Sequence, residues 1–590
     1  MHISASQVRG GTQASVISDT GSLVIDGVHD TSRDSNHSKN STFFSLINDE
    51  SRKDHSDRTL VASDLHSDSN LTLQSAQDII VSGSKVSATG DTQVQAKGDI
   101  QIVAAENTAR DTTRTDNRGF TASTKETSAG SHEYRVDAGL KDQQHINVTD
   151  TMLQQGASIS GGALAVSAGG NLSVKGSDLG ATGGDVSLSG KNIELMAAHD
   201  STDSKTQDLS TGGGIVWTAS LDKVGSGLEF VRQSSEDNAS RTTAKTSNVT
   251  ATGNVRVQAD NTLVNEGTRI VAGSGVQVNA GQMDNRAAYN TESSSHTENG
   301  WQAGLGVSAE IKGLSTPVEK IVKGLAKGTL PRSGLMDGVE LASLGLDGQV
   351  GYHNKTQAQQ DSTAVVSQLS GATVQVNVGG NLQDEGTQYR ATDGALNIKA
   401  GSHDARAAAD THNRAERDVA AKVGLRVYTK TGEDVNVRAN GSGEFRHAQE
   451  TGSTAQVGHY AGAQGVSIDT QGDARYEGGD FDGGAGSVNI DAGGKLALQQ
   501  ATDTHSQSAM GLSASGSLAL ETGEGNSLSP GGSLKFDYSP ENSPTSEAHV
   551  ATFRGKDRLR LSGVTVGGDL LKGENKEPQS LQAGIDQTMN

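Results

Sequence analysis

The sequence predicts an all-β chain, an elongated right-handed parallel β-helix from which long antiparallel β-hairpins extend. Three observations predict this fold. A block of sequence recurs along the chain, a finer period of 21–22 residues lies inside each block, and polar segments with alternating patterns separate the blocks. Repeats of this size are typical of solenoids, in which each unit buries its apolar residues against its neighbours.

The block is the clearest repeat. Residues 70–105 align with residues 163–198 at an offset of 93, so that Leu71, Ile79 and Val81 fall on Leu164, Leu172 and Val174. Full copies therefore lie at about 70–105, 163–198, 255–288, 374–408 and 466–501, and partial copies at 22–28 and 558–571. Copies from one end to the other predict one continuous repeat rod over residues 1–590.

The finer period defines the coil. Leu73 recurs 21 residues later as Val94, Ile79 recurs as Ile100 at the same interval, and Leu164 recurs as Val186 after 22 residues. Each coil contains three short apolar–polar–apolar strands that are separated by Gly, Asn, Asp or Ser turns. The inward positions should stack from coil to coil, and one such internal ladder is predicted for Ile79, Leu172, Leu263 and Leu382.

The segments between the blocks are predicted to be hairpin extensions. Several alternate with a period of two, as in GIVWTASLD at 214–222 and KVGLRVYTK at 422–430. This alternation indicates strands with one buried face, and it predicts that neighbouring hairpins stack into a second sheet along the rod. The predicted hairpins cover 30–65, 106–162, 199–250, 289–370, 409–462 and 502–557.

The composition excludes several classes of protein. Hydrophobic residues make up only 32%, which is low for a compact multidomain enzyme, and the net charge of −21 would suit a disordered chain. The regular repeats argue against disorder. The absence of cysteine excludes thiolate catalysis, iron–sulfur clusters and cysteine-based zinc sites. The acidic balance disfavours nucleic-acid binding, no apolar run is long enough for a membrane helix, and no signal peptide follows Met1.

The repeated unit resembles a known family. The stretch GGNLSVKGSDLGATGGDVSLSGKNIELMAAHDSTDSKTQ at 169–207 resembles the haemagglutinin repeats of two-partner-secretion exoproteins, the family of filamentous haemagglutinin and the contact-dependent growth-inhibition effectors. The segment at 30–65 is similar to the polar insert of their second, C-terminal-side repeat region. The chain does not match their N-terminal secretion domain, their receptor-binding region or the Val-Glu-Asn-Asn motif that precedes the toxin.

The resemblance implies a function and partners. It implies export through an outer-membrane transporter to the surface of a Gram-negative bacterium, association with a target-cell outer membrane or surface, and a C-terminal toxin in the parent chain. The leading hypothesis is therefore a structural and translocation scaffold that helps to deliver that toxin in contact-dependent growth inhibition. An adhesin shaft is the alternative, and a polysaccharide-processing β-helix enzyme, which would need a concave acidic groove, is a remote one.

No catalytic, cofactor or metal residue is nominated, and the chain is not expected to be an enzyme. Asp480 and Asp482 faintly resemble a calcium repeat, but a single copy cannot complete the oxygen cage, so a solvated turn is expected. The His199-Asp200 and His403-Asp404 pairs end blocks and are interpreted as repeat positions. The sixteen histidines look scattered along the sequence.

One segment departs from the repeat. Thr316 and Pro317 are a suitable start for a helix, and a helical insertion is predicted over 315–346. It would either cap a hairpin or bind a membrane interface, because basic amphipathic helices favour anionic surfaces. The candidate membrane-contact residues are Val318, Lys320, Ile321, Val322, Lys323, Leu325 and Lys327.

Overall fold

A computed structural model describes residues 1–11, 13–42, 47–126, 134–220, 222–312, 340–522, 527–539, 545–555, 559–563 and 565–567. The regular secondary structure in these ranges consists entirely of β-strands. Most of the strands form a parallel β-helix, and the others form one antiparallel sheet of hairpins. The all-β prediction is confirmed.

Two of the three strand columns of the β-helix form a single 22-stranded sheet. Val186–Met196, Val255–Glu266 and Gly275–Arg286 run through both columns and join them. The other strands of the first column are Gln13–Ser18, Asn70–Ser75, Thr92–Ala96, Leu164–Ala168, Thr373–Val378, Leu396–Ala400, Val466–Thr470, Val488–Ala492 and Arg560–Ser562. Those of the second column are His2–Ser4, Leu23–Asp26, Ile79–Ser82, Ile100–Val103, Leu172–Lys175, Asn381–Glu385, Ser402–Arg406, Ala474–Glu477, Lys495–Gln499 and Thr565–Gly567.

The third column is a separate 12-stranded sheet, with one strand for each coil. At about 4.8 Å between coils, these twelve strands make the described rod roughly 50–55 Å long. The strands are Gln7–Gly10, Asp64–Ser67, Lys85–Ala88, Ser158–Gly161, Asp178–Ala181, Asn248–Ala251, Arg269–Ala272, Gln368–Gly371, Gln388–Ala391, His459–Gly462, Asp480–Asp482 and Thr552–Arg554.

The strand registers confirm the predicted coil period. Leu73 pairs with Val94, Ile79 with Ile100, and Leu164 with Val186. The predicted internal ladder is also present. Its column runs through Leu23, Ile79, Ile100, Leu172, Ile193, Leu263, Met283 and Leu382, all of which are buried.

Asn and Asp side chains join the turns of successive coils. The Asn70 Oδ1 atom accepts a hydrogen bond from the Asp91 backbone N–H at 2.9 Å, and Asp91 Oδ1 accepts one from Ala163 at 3.0 Å. At the next corner, Asp99 Oδ1 accepts a hydrogen bond from the Asn171 N–H at 2.7 Å. These contacts explain why Gly-Asn or Gly-Asp precedes so many strands, because the turn N–H groups need acceptors that the ladder does not supply.

Six hairpins extend from the rod and together build a 13-stranded antiparallel sheet, the hairpin sheet. Their strand pairs, numbered as hairpins 1 to 6, are Val28–Thr42 with Ile47–Val61, Ala105–Glu126 with Tyr134–Gln155, Ala198–Ala219 with Lys223–Lys245, Ala288–Lys312 with Glu340–Val365, Ala408–Thr429 with Asn436–Gln456, and Ala501–Glu521 with Ser527–Ser539. A further strand, Thr545–His549, also pairs with Ala501–Glu521. The prediction that neighbouring hairpins share a sheet is confirmed.

The spacing of the hairpins explains why their sheet is continuous. Each hairpin leaves the same corner, after the second column and before the third, and only every second coil carries one. Two coils advance the rod by about 9.6 Å, which equals the width of the two strands that each hairpin adds. Strands of neighbouring hairpins therefore meet at normal ladder spacing without bending.

Coils without a hairpin turn this corner through a residue with positive φ, which is Ala5 in the first coil and a glycine in the others. Gly176 has φ +57, and a Cβ added there would lie 2.5 Å from the Cβ of Ala198, the first residue of hairpin 3. We expect Gly176→Ala to destabilise the rod by about 1–3 kcal/mol, because it adds backbone strain and this overlap. Gly180→Ala is the matched control in the adjacent strand, where a Cβ would meet only ordinary contacts. Equal urea midpoints for the two variants would contradict this account of the corner.

Most of the helical insertion predicted over 315–346 lies outside the described residues. Residues 340–346 are described, and they begin the strand Glu340–Val365 instead of ending a helix. The prediction is wrong for these residues because Leu344 and Leu346 alternate along a strand that pairs with the preceding one. Without the pairing partner, the sequence indicated that these two residues belong to the predicted helical insertion.

Candidate interaction surface on the hairpin sheet

The outer half of the hairpin sheet carries an apolar surface. Residues that pair directly on adjacent strands share a face, so the registers define rows of side chains that run across hairpins 2 to 6. Three neighbouring rows on one face contain no charged side chain, and we call them the apolar face. The first row is Phe120, Leu140, Gly213, Phe230, Ala303, Val350, Val423, Gly441, Gly516 and Gly532.

The other two rows are apolar almost throughout. The second row is Ala122, Ala138, Ile215, Leu228, Leu305, Gly348, Leu425, Ala439, Leu518 and Pro530. The third is Thr124, Val136, Trp217, Ser226, Val307, Leu346, Val427, Val437, Leu520 and Leu528. Ten strands and three rows give a surface of roughly 45 by 20 Å, about 900 Å².

Most of the large side chains of this face are exposed. Leu305 is 68% exposed, Val350 59% and Phe230 53%. The sequence pattern predicted one buried face for the hairpins, and that prediction is wrong for this part of the described chain. Monomeric proteins seldom expose apolar patches beyond a few hundred Å², and larger ones mark sites of contact with proteins or membranes.

The opposite face of the outer hairpins is polar and ion-paired. The Arg135 guanidinium donates to Asp137 at 2.6 Å and to Glu229 at 2.5 Å. Arg426 is mostly buried and bonds to Glu310, and hydrogen bonding from Arg426 lowers the pKa of Glu310. The sheet is therefore amphipathic, with its charges directed away from the apolar face.

The apolar face gives way to a polar surface nearer the rod. A groove of about 820 Å³ crosses the lower half of the same side, between residues of hairpins 2 to 5. Side chains such as Lys205, Asn238, Ser240 and Ser295 line it. The apolar character of this side is thus confined to the outer half of the hairpins, where a flat partner could reach it without touching the rod.

A second unusual site lies inside the rod. Asp384 is buried in the core, where its Oδ1 accepts hydrogen bonds from Asn285 Nδ2 at 2.6 Å and from the Tyr389 hydroxyl at 2.8 Å. Its Oδ2 contacts His403 Nε2 at 2.7 Å and accepts from the Tyr460 hydroxyl at 3.2 Å. We call these five residues, with Tyr476, the core polar cluster.

The cluster keeps Asp384 ionised. Burial acts to raise the pKa of Asp384, but hydrogen bonds and charge from His403 and further hydrogen bonds from Asn285 and Tyr389 outweigh it and lower the pKa. Burial also raises the pKa of Tyr389 and Tyr460 well above the usual value, so both remain hydrogen-bond donors. All six side chains are buried, which makes this a structural site that a substrate cannot enter.

Comparison with known proteins identifies the repeat. The hemagglutinin repeat profile matches residues 45–213, 227–321 and 348–516. The chain belongs to the hemagglutinin-repeat family. This confirms the resemblance to the repeats of two-partner-secretion exoproteins.

Two curated proteins carry similar sequences. The chain is 32% identical over 515 residues to a hemolysin of Serratia marcescens, a match that covers 86% of the chain and 32% of that protein. It is 24% identical over 594 residues to a hemolysin of Proteus mirabilis, which covers 97% and 38%. The chain thus spans about a third of the length of these relatives. No solved structure matches the chain.

The structure does not describe the candidate membrane-contact residues that the sequence predicted. Val318, Lys320, Ile321, Val322, Lys323, Leu325 and Lys327 all lie outside the described residues. In the described part of the chain, no three His, Cys, Asp or Glu side chains are grouped as a metal site, and no helix is long and apolar enough to cross a membrane.

The structure corrects the predictions that were made for the acidic pair and for the two His-Asp pairs. Asp480 and Asp482 were expected in a solvated turn, but they flank inward-facing Phe481 in a short strand. His199 and His403 were expected to be equivalent positions at block ends. His199 is the second residue of hairpin 3, whereas His403 stacks directly on Leu382 in the internal ladder and is buried. The repeat pattern hid this difference because histidine replaces an apolar residue there.

Proposed function

We propose that this chain is a non-catalytic scaffold segment of a secreted surface exoprotein, and that its apolar face engages the outer membrane of a target cell. The supporting observation is the apolar face itself, about 900 Å² of exposed apolar surface at the free ends of the hairpins. The name hemolysin of the two relatives also favours an action on membranes. Export of the parent chain by an outer-membrane transporter belongs to the same proposal.

The charge distribution suits such a contact. A chain with net charge −21 is repelled by an anionic membrane surface. The three rows of the apolar face carry no charge, and the row beside them contains Arg232 and an ion pair between Arg118 and Asp142. Acidic groups such as Glu229 and Asp347 lie on the opposite face. Contact through the apolar face therefore keeps these carboxylates away from the lipid.

Delivery of a C-terminal toxin in contact-dependent growth inhibition is the finer form of this proposal. It requires a toxin domain in the parent chain, and the rod would then hold that domain near the membrane that the hairpins contact. An adhesin shaft would instead recognise a surface protein or glycan and would not need a lipid-binding face. The exposed apolar rows favour the membrane role over the adhesin.

The apolar face should determine membrane binding. Replacing Leu228, Leu305 and Leu425 with serine is expected to weaken binding to vesicles of phosphatidylcholine and phosphatidylglycerol by about a hundredfold, since partial burial of three leucines contributes roughly 3 kcal/mol. Leu228 pairs directly with Leu305, only Gly348 separates Leu305 from Leu425 in the second row, and all three leucines are exposed. Co-sedimentation measures the effect. Val216→Ser with Val231→Ser, on the opposite face, is the control and should bind normally. Unchanged binding by the leucine variant would refute the proposal.

The basic segment at 318–327 remains a second proposed contact. Lys312 and Glu340 pair directly, so a short Gly-Ser turn can replace residues 313–339 without stretching hairpin 4. If the apolar face dominates, this replacement should leave most vesicle binding intact. If the segment dominates, the replacement should abolish binding and the leucine variant should bind normally. The two variants therefore assign the contact to one of the two elements.

A further inference from the structure

At least one histidine–carboxylate pair lies at every junction between consecutive hairpins. His55 Nδ1 contacts Asp111 at 2.6 Å between hairpins 1 and 2, and His145 Nδ1 contacts Asp208 at 2.7 Å between hairpins 2 and 3. His296 Nδ1 contacts Asp237 at 2.6 Å at the next junction. The fourth junction pairs His412 with Asp361, and the fifth pairs His505 with Glu450 at a longer 3.9 Å. A sixth contact, between His353 and Asp418 at 3.3 Å, also crosses the fourth junction and lies outside this set of five pairs.

The pairs share a position in the sheet. In the first four, the two residues lie directly opposite each other in the register, and the fifth is diagonal. The registers also place all five pairs on the polar face, within four successive rows. Such rows span about 20 Å. The pairs therefore form a belt across the polar face, in the half of the hairpin sheet nearer the rod.

The junctions are where the sheet lacks covalent connection. The two strands of one hairpin are joined by the hairpin's own chain, whereas neighbouring hairpins are joined only through the rod and through strand pairing. Side chains that bond across a junction thus act where strands could separate. We propose that the five pairs are clasps that hold neighbouring hairpins together, and that the first, between His55 and Asp111, holds most tightly when its imidazole is protonated.

The electrostatics of the first clasp support this. The hydrogen bond from His55 to Asp111 raises the pKa of His55, and the charges of Asp111, Asp57 and Asp34 add to the effect while desolvation opposes it. A histidine whose pKa is raised in the folded state contributes stability below its unfolded pKa of about 6.5. That contribution is lost as the pH rises through the folded value. Clasp strength should therefore fall between about pH 6 and pH 8.

The other clasps have their own charged surroundings on the polar face. Asp208 is the charged group that faces His145 from the adjoining strands. The groups near the remaining histidines are Glu298 and Lys355 at His296, Asp410, Arg414 and Glu450 at His412, and Asp503 and Glu547 at His505, with Lys53 also near His55.

This inference goes beyond the proposed function and does not depend on it. A closed sheet presents the apolar rows as one continuous surface, whereas loosened junctions allow single hairpins to move apart. The pH dependence concerns the cohesion of the hairpins in solution, whatever surface the apolar face contacts.

Hydrogen exchange of the full 590-residue chain tests the clasps. After correction for the intrinsic rate, we expect the junction strands Ile47–Val61 and Ala105–Glu126 to exchange several-fold more slowly at pH 6 than at pH 8. In a variant with His55, His145, His296 and His412 all replaced by glutamine, the new side chains are similar in size and can still form hydrogen bonds, but they cannot become charged. This variant should lose this difference while the rod strands stay protected.

Controls separate the clasps from a general effect of histidine. His37→Gln with His66→Gln alters two histidines that also have polar partners but lie within hairpin 1 and on the rod. This variant should retain the pH difference in the junction strands. A pH difference that survives in the quadruple variant, or its absence from the natural chain, would overturn the inference. Either result would leave the vesicle-binding outcome of the leucine variant unaffected.

Discussion

Replacing Ile79 with aspartate is expected to disrupt the coils around it, whereas the same change at Ile80 is expected to be mild. Ile79 points inward and stacks between Leu23 and Ile100. Aspartate there would be a buried charge without a partner, at a cost of about 3–5 kcal/mol. Ile80 is half-buried on the outer surface of the same strand, where the cost should stay below about 1 kcal/mol.

Urea unfolding and hydrogen exchange measure this difference. A repeat rod need not unfold in one step, so local exchange in Ile79–Ser82 and in its neighbours Leu23–Asp26 and Ile100–Val103 is the more direct measurement. The matched pair differs only in which side of the strand receives the charge. Equal loss of protection in the two variants would show that the inward register is wrong.

The rod was predictable from the sequence because the strand and turn patterns of each coil are short and recur along the chain. Leu73 and Val94 show the coil period directly, and the register pairs them as the period requires. The continuity of the hairpin sheet was also predictable, because one hairpin for every two coils matches the strand spacing. In contrast, the exposure of the apolar face was not predictable. Alternation shows that one side is apolar, but it does not show whether any other element covers that side.

The functional side chains were harder to find for a different reason. His403 follows Leu382 by 21 residues, so the period alone places it in the internal ladder. Inward positions are expected to be apolar, so the sequence pattern indicates only a repeat position at a block end for this histidine. The junction histidines looked scattered because their partners lie 51–63 residues away in the four direct pairs. Only the register between hairpins brings each pair together.

Substitutions in the core polar cluster should lower the stability of the rod more than most other substitutions. Asp384→Leu would leave Asn285, Tyr389, Tyr460 and His403 without their shared acceptor in the core. Such unpaired buried groups cost about 3–5 kcal/mol. Asp469→Leu, at an exposed position two coils away, is the control and should change stability by less than about 1 kcal/mol.

The pH dependence distinguishes the charge of Asp384 from its hydrogen bonds. Because the folded pKa of Asp384 is lowered, its ionised form contributes stability above the unfolded pKa of about 3.9, and this is lost as the pH falls through the folded value. Asp384→Asn retains an acceptor and the size of the side chain but cannot ionise. It should therefore be less damaging than Asp384→Leu, and exchange in Asn381–Glu385 and Ser402–Arg406 should respond less to acid than in the natural chain. An unchanged acid response in Asp384→Asn would show that other carboxylates determine the acid stability of these coils.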